Sequence, residues 1–210
     1  MYVERPVRLA LGALVACTSL LAGQALAEDA KFLGFQLGQR FSAPECESRA
    51  TTSYSTEREY VSKFQAVATN CWQKTPDPSG PAPNLSGTAK VRLVSTQEPS
   101  GLRQIEGVLI DGSLEEVKVW THGIEYQRSI ADLLQSKYGK PASMRNKSAK
   151  NAVGGTFEIV EATWKTPDVV VTFLGAVDSI DWGLIVVQTP KGEASAARAL
   201  TEDAQQRATF

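Results

Sequence analysis

Residues 105–141 of this chain, IEGVLIDGSLEEVKVWTHGIEYQRSIADLLQSKYGKP, decide the predicted fold. Apolar and polar residues alternate on both sides of Asp111 and Gly112, which predicts a β-hairpin whose type I′ turn needs two residues with positive φ. From Ile124 the apolar residues recur at helical spacing, and Gly139 with the proline two residues later marks the end of the helix. The stretch therefore predicts one amphipathic helix that covers one face of a sheet.

Strand patterns continue on both sides of this unit. Three precede it, at residues 32–41, 60–72 and 88–96. Three more follow it and predict an antiparallel meander, at residues 156–164, 169–174 and 180–188. Residues 43–49 have the capping-box spacing of a short helical turn. We therefore expect an α+β fold, in which an antiparallel sheet carries one principal amphipathic helix on one face (a ββαβββ core) and has an N-terminal, strand-rich, disulfide-tied extension.

The domain organisation follows from composition. The chain is long enough for one good core or two small ones, and residues 28–190 are interpreted as a single α+β domain because one compact domain is the default at this length. Residues 74–87 hold four prolines and two glycines, which predicts an exposed loop within that domain. Residues 191–210 are alanine-rich with few large apolar side chains, which predicts a loosely packed C-terminal helix or tail.

The N-terminus has the pattern of a targeting segment. Residues 1–27 contain a basic start, an apolar run and an A-x-A cleavage motif at residues 25–27, so we expect a signal peptide and a mature chain that begins at Glu28. The predicted localisation is periplasmic or secreted, and no transmembrane segment is expected. In the alternative, residues 14–17 (LVAC) act as a lipobox and acylated Cys17 anchors the protein to a membrane.

Charge and cysteine content narrow the possible partners. The full chain has 22 basic and 23 acidic residues, of which residues 1–27 hold two and one, so the predicted mature chain has a net charge of −2. This balance gives no reason to expect binding to nucleic acid. Of the three cysteines, Cys46 and Cys71 remain after cleavage, and an even pair in an exported protein predicts a disulfide bond.

Catalytic and metal-binding motifs are absent from the sequence. His122 is the single histidine, and no nucleophile elbow, phosphate-binding loop, dinucleotide fingerprint, zinc motif or EF-hand spacing occurs. The paired acids at Glu115-Glu116 and elsewhere are interpreted as solvated surface carboxylates. We therefore expect no catalytic residue, no metal site and no cofactor.

A resemblance rests on the segment Lys137-Tyr138-Gly139-Lys140-Pro141 together with the order of the elements between residues 105 and 189. In these features the chain resembles small Gram-negative periplasmic α+β proteins, many of them uncharacterised. The helix-on-sheet units of the β-lactamase inhibitory protein and of outer-membrane assembly lipoproteins are comparable. The resemblance implies a helix packed on a twisted meander and a partner that is another envelope protein. It assigns no role to any residue.

The leading functional hypothesis is an exported, non-catalytic binding or accessory protein of the bacterial envelope, of the inhibitor, immunity or assembly type. Strand parity places Lys118, Trp120 and His122 on the face opposite Val117 and Val119, and an aromatic side chain among charged ones is common at recognition surfaces. In the alternative, the proline-rich loop or the C-terminal helix covers Trp120.

A second candidate surface is the segment 137–150, predicted to be a basic loop. It contains five basic residues and no acidic one, and Lys140, Arg145 and Lys147 are its candidate binding residues. If the loop is only a solvated connection, it offers no site.

Two other functions remain open on the sequence. One is a small periplasmic hydrolase that uses His122 and carboxylates, which requires a carboxylate within hydrogen-bonding distance of the imidazole. The other is a small-ligand carrier, which requires an apolar cavity of more than about 300 Å³ between the sheet and the helix.

Overall fold

A computed structural model describes residues 30–50, 52, 58–61, 67–74, 86–150 and 154–208. The strands are β1 (Lys31–Phe32), β2 (Phe35–Gln36), β3 (Ser48–Ala50), β4 (Arg58–Tyr60), β5 (Cys71–Gln73), β6 (Thr88–Val94), β7 (Leu102–Ile110), β8 (Ser113–Thr121), β9 (Ser143–Lys150), β10 (Thr156–Lys165), β11 (Val170–Leu174) and β12 (Gly183–Gln188). The helices are α1 (Gln127–Tyr138), which follows a 3₁₀ turn at Gly123–Glu125, and α2 (Pro190–Ala208).

Eight strands form one antiparallel sheet in the order β5-β6-β7-β8-β12-β11-β10-β9. Two small ribbons, β1-β2 and β3-β4, lie outside it. The predicted α+β class is confirmed, and so is the meander of β10, β11 and β12 after the helix.

The β7-β8 hairpin turns as predicted, at Asp111 (φ 53°) and Gly112 (φ 79°). The backbone N–H of Gly87 donates a hydrogen bond to the Asp111 carboxylate at 3.2 Å, and the Lys191 ammonium lies 3.3 Å from the same carboxylate. Both contacts lower the pKa of Asp111 from its ordinary value of 3.8, and the hydrogen bond from Gly87 has the larger effect. The turn is therefore connected to β6 and to the start of α2.

The core lies between the sheet and α1. Val117 and Val119 of β8 are fully buried, and α1 packs against this face with Ile130 and Leu134. Leu133 is different: the apolar periodicity assigns it to the buried face of the helix, but it is 39% exposed.

Helix α1 is also joined to the sheet through a buried glutamine. The Gln127 amide group accepts a hydrogen bond from the backbone N–H of Val160 at 2.9 Å and donates one to the carbonyl of Glu158 at 2.8 Å. The pairing of β10 with β11 reaches only as far as Glu161. The side chain therefore satisfies backbone groups of β10 that no strand pairs on that side.

The N-terminal predictions need three corrections. Residues 32–41 are not one strand, because the chain reverses between β1 and β2. The prediction of one strand over residues 60–72 is also wrong in its described part, because β4 ends at Tyr60 and pairs with β3 while β5 joins the large sheet; residues 62–66 lie outside the described ranges. Residues 43–49 form no helical turn. The Cys46 N–H donates a hydrogen bond to the Trp72 carbonyl at 2.8 Å, and the Trp72 N–H donates one to the Pro44 carbonyl at 3.0 Å. These two hydrogen bonds keep the segment extended.

The predicted disulfide between Cys46 and Cys71 is present, with the two Cα atoms 5.0 Å apart. It belongs to a second, small apolar cluster that includes buried Tyr60. The Tyr60 hydroxyl donates to the Glu45 carboxylate at 3.0 Å and accepts from the backbone N–H of Lys74 at 2.8 Å. The extension is therefore held to the sheet covalently and by a buried polar group.

The segment predicted as a basic loop after α1 contains the edge strand β9. Its residues pair with β10 along the whole of Ser143–Lys150. The prediction of a loop was wrong. Both faces of this edge strand are near solvent, so its sequence needs no alternation of apolar and polar residues, and hydrogen bonding to the backbone of β10 is sufficient to make it a strand.

Helix α2 begins at a capped N-terminus. The Thr189 hydroxyl accepts a hydrogen bond from the backbone N–H of Gly192 at 3.1 Å and donates one to the buried carboxylate of Glu115. A carboxylate at this position also opposes the helix dipole. Glu115, interpreted above as a solvated acid, is instead buried because it fixes the start of α2.

Several predicted features lie outside the described residues. They are the signal peptide at residues 1–27, Cys17, Glu28 and most of the proline-rich loop, residues 75–85. Within the described part of the chain, neither helix combines the length and the apolar character needed to cross a bilayer.

Candidate functional site

The candidate site is the face of the sheet opposite α1, here called the outer face. On β8 it carries Glu116, Lys118 and Trp120, because these residues alternate with buried Val117 and Val119. On the neighbouring strand β12, the residues directly opposite them are Gln188, Val186 and Leu184. Strand parity therefore assigned Trp120 and Lys118 to the correct face.

Two tryptophans and an arginine meet on the outer face and are called the tryptophan cluster: Arg103, Trp120 and Trp182. The two indole rings pack edge to face, with centroids 6.1 Å apart and planes at 84°. The Arg103 guanidinium lies 4.2 Å from the Trp182 ring centroid, within the range of a cation–π interaction. Trp182 remains 41% exposed, so the cluster presents an aromatic surface to solvent.

The cluster depends on two local features of the sheet. Arg103 lies at an irregularity of β7, where the pairing with β8 shifts between Leu102 and Gln104. Trp182 directly precedes β12, and the pairing of Leu184 with Trp120 brings it next to that ring. Sequence reasoning missed both residues, since no local pattern reveals a bulge or the pairing of β8 with β12.

The outer face is electropositive. Among the residues that the structure describes, strand register places seven basic side chains on this face: Lys90, Arg92, Arg103, Lys118, Arg145, Lys147 and Lys165. In the same described strands it carries three acidic ones: Glu106, Glu116 and Glu161. This excess is local, because the chain as a whole has a net charge of −1. The potential over the face therefore favours an acidic partner.

Two of the three acids on this face, Glu116 and Glu161, contact a cation. Glu116 is buried, and its carboxylate contacts the Lys118 ammonium at 2.8 Å and accepts a hydrogen bond from Gln188. Arg145 forms an ion pair with Glu161, and Lys147 lies 3.9 Å from the same carboxylate. Lys118 is therefore partly neutralised, whereas Arg103 is held over an aromatic ring.

The predicted basic residues are only partly brought together. Arg145 and Lys147 lie on β9, at the margin of the outer face. Lys140 lies in the turn before that strand and is exposed.

No match to a known protein is found. Comparisons with protein-family models, with curated proteins and with solved structures all return nothing. In the described ranges, no group of three or more His, Cys, Asp or Glu side chains is arranged to hold a metal ion. The function is therefore argued from the geometry of the chain itself.

His122 lies at the end of β8, and its ring contacts Tyr126 at the start of α1, with centroids 5.7 Å apart. Among the residues that the structure describes, no carboxylate forms a hydrogen bond with its imidazole. The arrangement required for the hydrolase hypothesis is therefore not seen around this side chain.

Helix α2 lies over part of the outer face. It leaves a groove of about 580 Å³, lined on the helix side by Ser195, Ala196 and Ala199 and on the sheet side by residues that include Lys118 and Val186. Neither tryptophan of the cluster is among the residues that line this groove. The alternative in which the proline-rich loop covers Trp120 concerns residues outside the described ranges.

A separate cavity of about 320 Å³, called the inner cavity, lies on the opposite side of the sheet, beside α1. Its walls are mostly apolar and come from β1 with the residue after it, the turn before β7 with the first residue of that strand, α1 with its N-terminal flank, and β12: Phe32, Leu33, Pro99, Ser100, Leu102, Tyr126, Ser129, Ile130, Leu133 and Ile185. This volume exceeds the threshold set above for a small-ligand carrier.

Proposed function

We propose that this chain is an exported, non-catalytic binding protein of the bacterial envelope, and that its outer face binds an acidic surface of another protein. The observation that carries the proposal is the tryptophan cluster, a half-exposed indole under an arginine within an electropositive sheet face. Trp and Arg, together with Tyr, are enriched among the residues that dominate binding energy at protein interfaces.

The geometry of the cluster suits it to act as an anchor. Trp182 is held in place by Trp120 on one side and Arg103 on the other, so little side-chain freedom is left to lose on binding. Burial by a partner would remove water from the cation–π pair, which strengthens from about 0.5–1 kcal/mol at exposed sites to about 2 kcal/mol when desolvated. The surrounding basic residues would accelerate encounter with an acidic partner.

Export is part of the proposal. The disulfide between Cys46 and Cys71 is typical of proteins that fold in an oxidising compartment. The signal-peptide pattern of residues 1–27 supports the same compartment.

The test begins with capture of partners from envelope extract by the disulfide-bonded domain. The baits are the wild type, Trp182→Ala and Met144→Ala. Met144 is a matched control, because it is also an exposed large apolar residue but lies on β9 outside the cluster. We expect a partner that the wild type and Met144→Ala retain and Trp182→Ala loses.

The purified partner then allows kinetic measurement. Replacing Trp182 with Ala should weaken binding by about 30-fold, equal to about 2 kcal/mol, mainly through faster dissociation. Added salt should slow association of the wild type, because charge steering is screened within about 8 Å at physiological ionic strength. Equal dissociation constants for Trp182→Ala and Met144→Ala would refute the proposed anchor.

A further inference from the structure

We infer that the inner cavity is a binding site for a single-chain aliphatic carboxylate of about ten to twelve carbon atoms. The site lies on the α1 side of the sheet and does not depend on the tryptophan cluster or on the function proposed for the outer face. The size of the cavity, its rigid wall and the charges at its mouth each support the assignment.

The size of the cavity sets the length of the ligand. Small-molecule pockets in proteins span about 300–1,000 Å³, and the volume of about 320 Å³ places the inner cavity at the small end of this range. A cavity of about 150 Å³ accommodates benzene, and the inner cavity therefore has room for about a dozen carbon atoms. Its floor is rigid, because Phe32, Ile130 and Ile185 are almost fully buried.

One wall is held in a strained conformation. Leu33 has a φ of 49°, which is uncommon for a residue with a branched side chain. Its carbonyl accepts hydrogen bonds from the Asn70 amide at 3.0 Å and from the Ser95 hydroxyl at 2.8 Å. Asn70 in turn accepts one from the backbone N–H of Thr96 at 2.8 Å. Strained residues fixed by such networks are concentrated at functional sites, and here the residue lines the cavity.

The opposite wall requires a glycine. Gly101 has a φ of 95°, and a Cβ atom at this position would lie 2.6 Å from the Tyr126 ring. The ring can therefore pack directly on the turn that precedes β7 and close that side of the cavity. The Ser129 hydroxyl donates to the Tyr126 carbonyl at 2.9 Å, so this polar wall group is already satisfied.

The mouth of the cavity indicates an anionic head group. A cleft of about 710 Å³ adjoins the inner cavity and shares Phe32, Leu33, Pro99 and Leu133 with it. Its charged lining residues are Lys31, Lys137 and Glu98. Glu98 is engaged with the loop, since its carboxylate accepts a hydrogen bond from the Ser95 N–H at 3.2 Å. The Lys137 ammonium also lies 5.2 Å from the centroid of the Tyr138 ring, so Lys31 is the cation assigned to a carboxylate head in the cleft, with the aliphatic chain in the inner cavity.

Calorimetric titration of the disulfide-bonded domain with octanoate, decanoate, dodecanoate and tetradecanoate tests the assignment. The affinity should rise about fourfold for each added methylene group and stop rising near twelve carbons, when the cavity is full. Decanol, which lacks the charge, should bind at least fivefold more weakly than decanoate. No saturable binding of any member of the series would overturn the inference.

Variants at the shared wall locate the site. Leu133→Trp should weaken decanoate binding at least tenfold, because Leu133 is half-exposed where the cavity and the cleft meet and a larger side chain there obstructs the entrance. Leu200→Trp is the matched control: it places the same side chain on α2, where Leu200 is 72% exposed. Equal affinities of the two variants would contradict the site.

A measurement on the unmodified chain covers the case in which Leu133→Trp fails to fold. In amide NMR spectra, decanoate should shift the signals of Leu33, Ser100 and Leu133, and leave those of Thr172 and Val186 on the outer face unchanged. Shifts confined to the outer face would place the ligand in the groove under α2 and refute the inner cavity as the site.

Discussion

Gln127 offers the sharpest test of how α1 is attached to the sheet. In Gln127→Leu the side chain keeps its approximate volume but loses both polar groups. The backbone N–H of Val160 is then buried without an acceptor, and the Glu158 carbonyl loses its donor from the helix. A buried, unsatisfied donor costs about 1–3 kcal/mol, whereas the carbonyl of exposed Glu158 can bind water instead.

The expected loss is therefore about 2 kcal/mol in the free energy of unfolding, after allowing for the favourable burial of leucine. For a domain of this size it corresponds to about 4–8 °C in Tm. Urea unfolding followed by circular dichroism measures it, and hydrogen exchange at the Val160 amide should accelerate in the variant.

The matched control is Gln135→Leu, the same substitution on the exposed side of the same helix. It should change the free energy of unfolding by less than about 0.5 kcal/mol. If the two variants are equally stable, or if the Val160 amide keeps its protection in Gln127→Leu, the amide of Gln127 does not satisfy the backbone of β10 as argued.

Two further predictions concern the disulfide bond and the β7-β8 turn. The double variant Cys46→Ser, Cys71→Ser should lose roughly 3–4 kcal/mol of unfolding free energy, the chain-entropy value for a sequence separation of 25, and reduction of the wild type should give the same loss in urea unfolding. The variant Asp111→Asn keeps a hydrogen-bond acceptor in the turn but loses the negative charge. Because the pKa of Asp111 is lowered in the folded chain, the Asp111 carboxylate stabilises the fold above about pH 4. This stabilisation disappears as the pH falls through the folded pKa. The Tm difference between wild type and variant should therefore be present at about pH 7 and shrink as the pH falls below the ordinary carboxyl pKa, and a difference that is constant with pH would contradict this origin.

The centre of the fold could be predicted because its signals are local. Asp111 and Gly112 specify a turn through their own backbone angles, and Gly139 ends α1 through a hydrogen bond from its N–H to Gln135. Burial of Val117 and Val119 follows from alternation within one strand, which is why Trp120 was assigned to the correct face.

The rest depends on partners that are distant in sequence. Strand β9 has no apolar periodicity, and the backbone of β10 alone makes it a strand. Arg103 and Trp182 meet only because β12 pairs with β8 and β7 carries an irregularity. The inner cavity lies between four segments that are distant in sequence. No residue type or local pattern marks such a cavity, so it could not be predicted from the sequence.

The position of β12 has a consequence for how the chain folds. The last strand in sequence lies in the middle of the sheet, between β8 and β11. The strands before α1 and the meander after it can each pair with neighbours close in sequence, but the two halves become one sheet only when Gly183–Gln188 is available. Closing so long a loop is slow, which predicts a late rate-limiting step in which β12 docks. Until then β8 and β11 are unpaired edges with apolar faces, so the incomplete chain is most vulnerable to aggregation at its future centre.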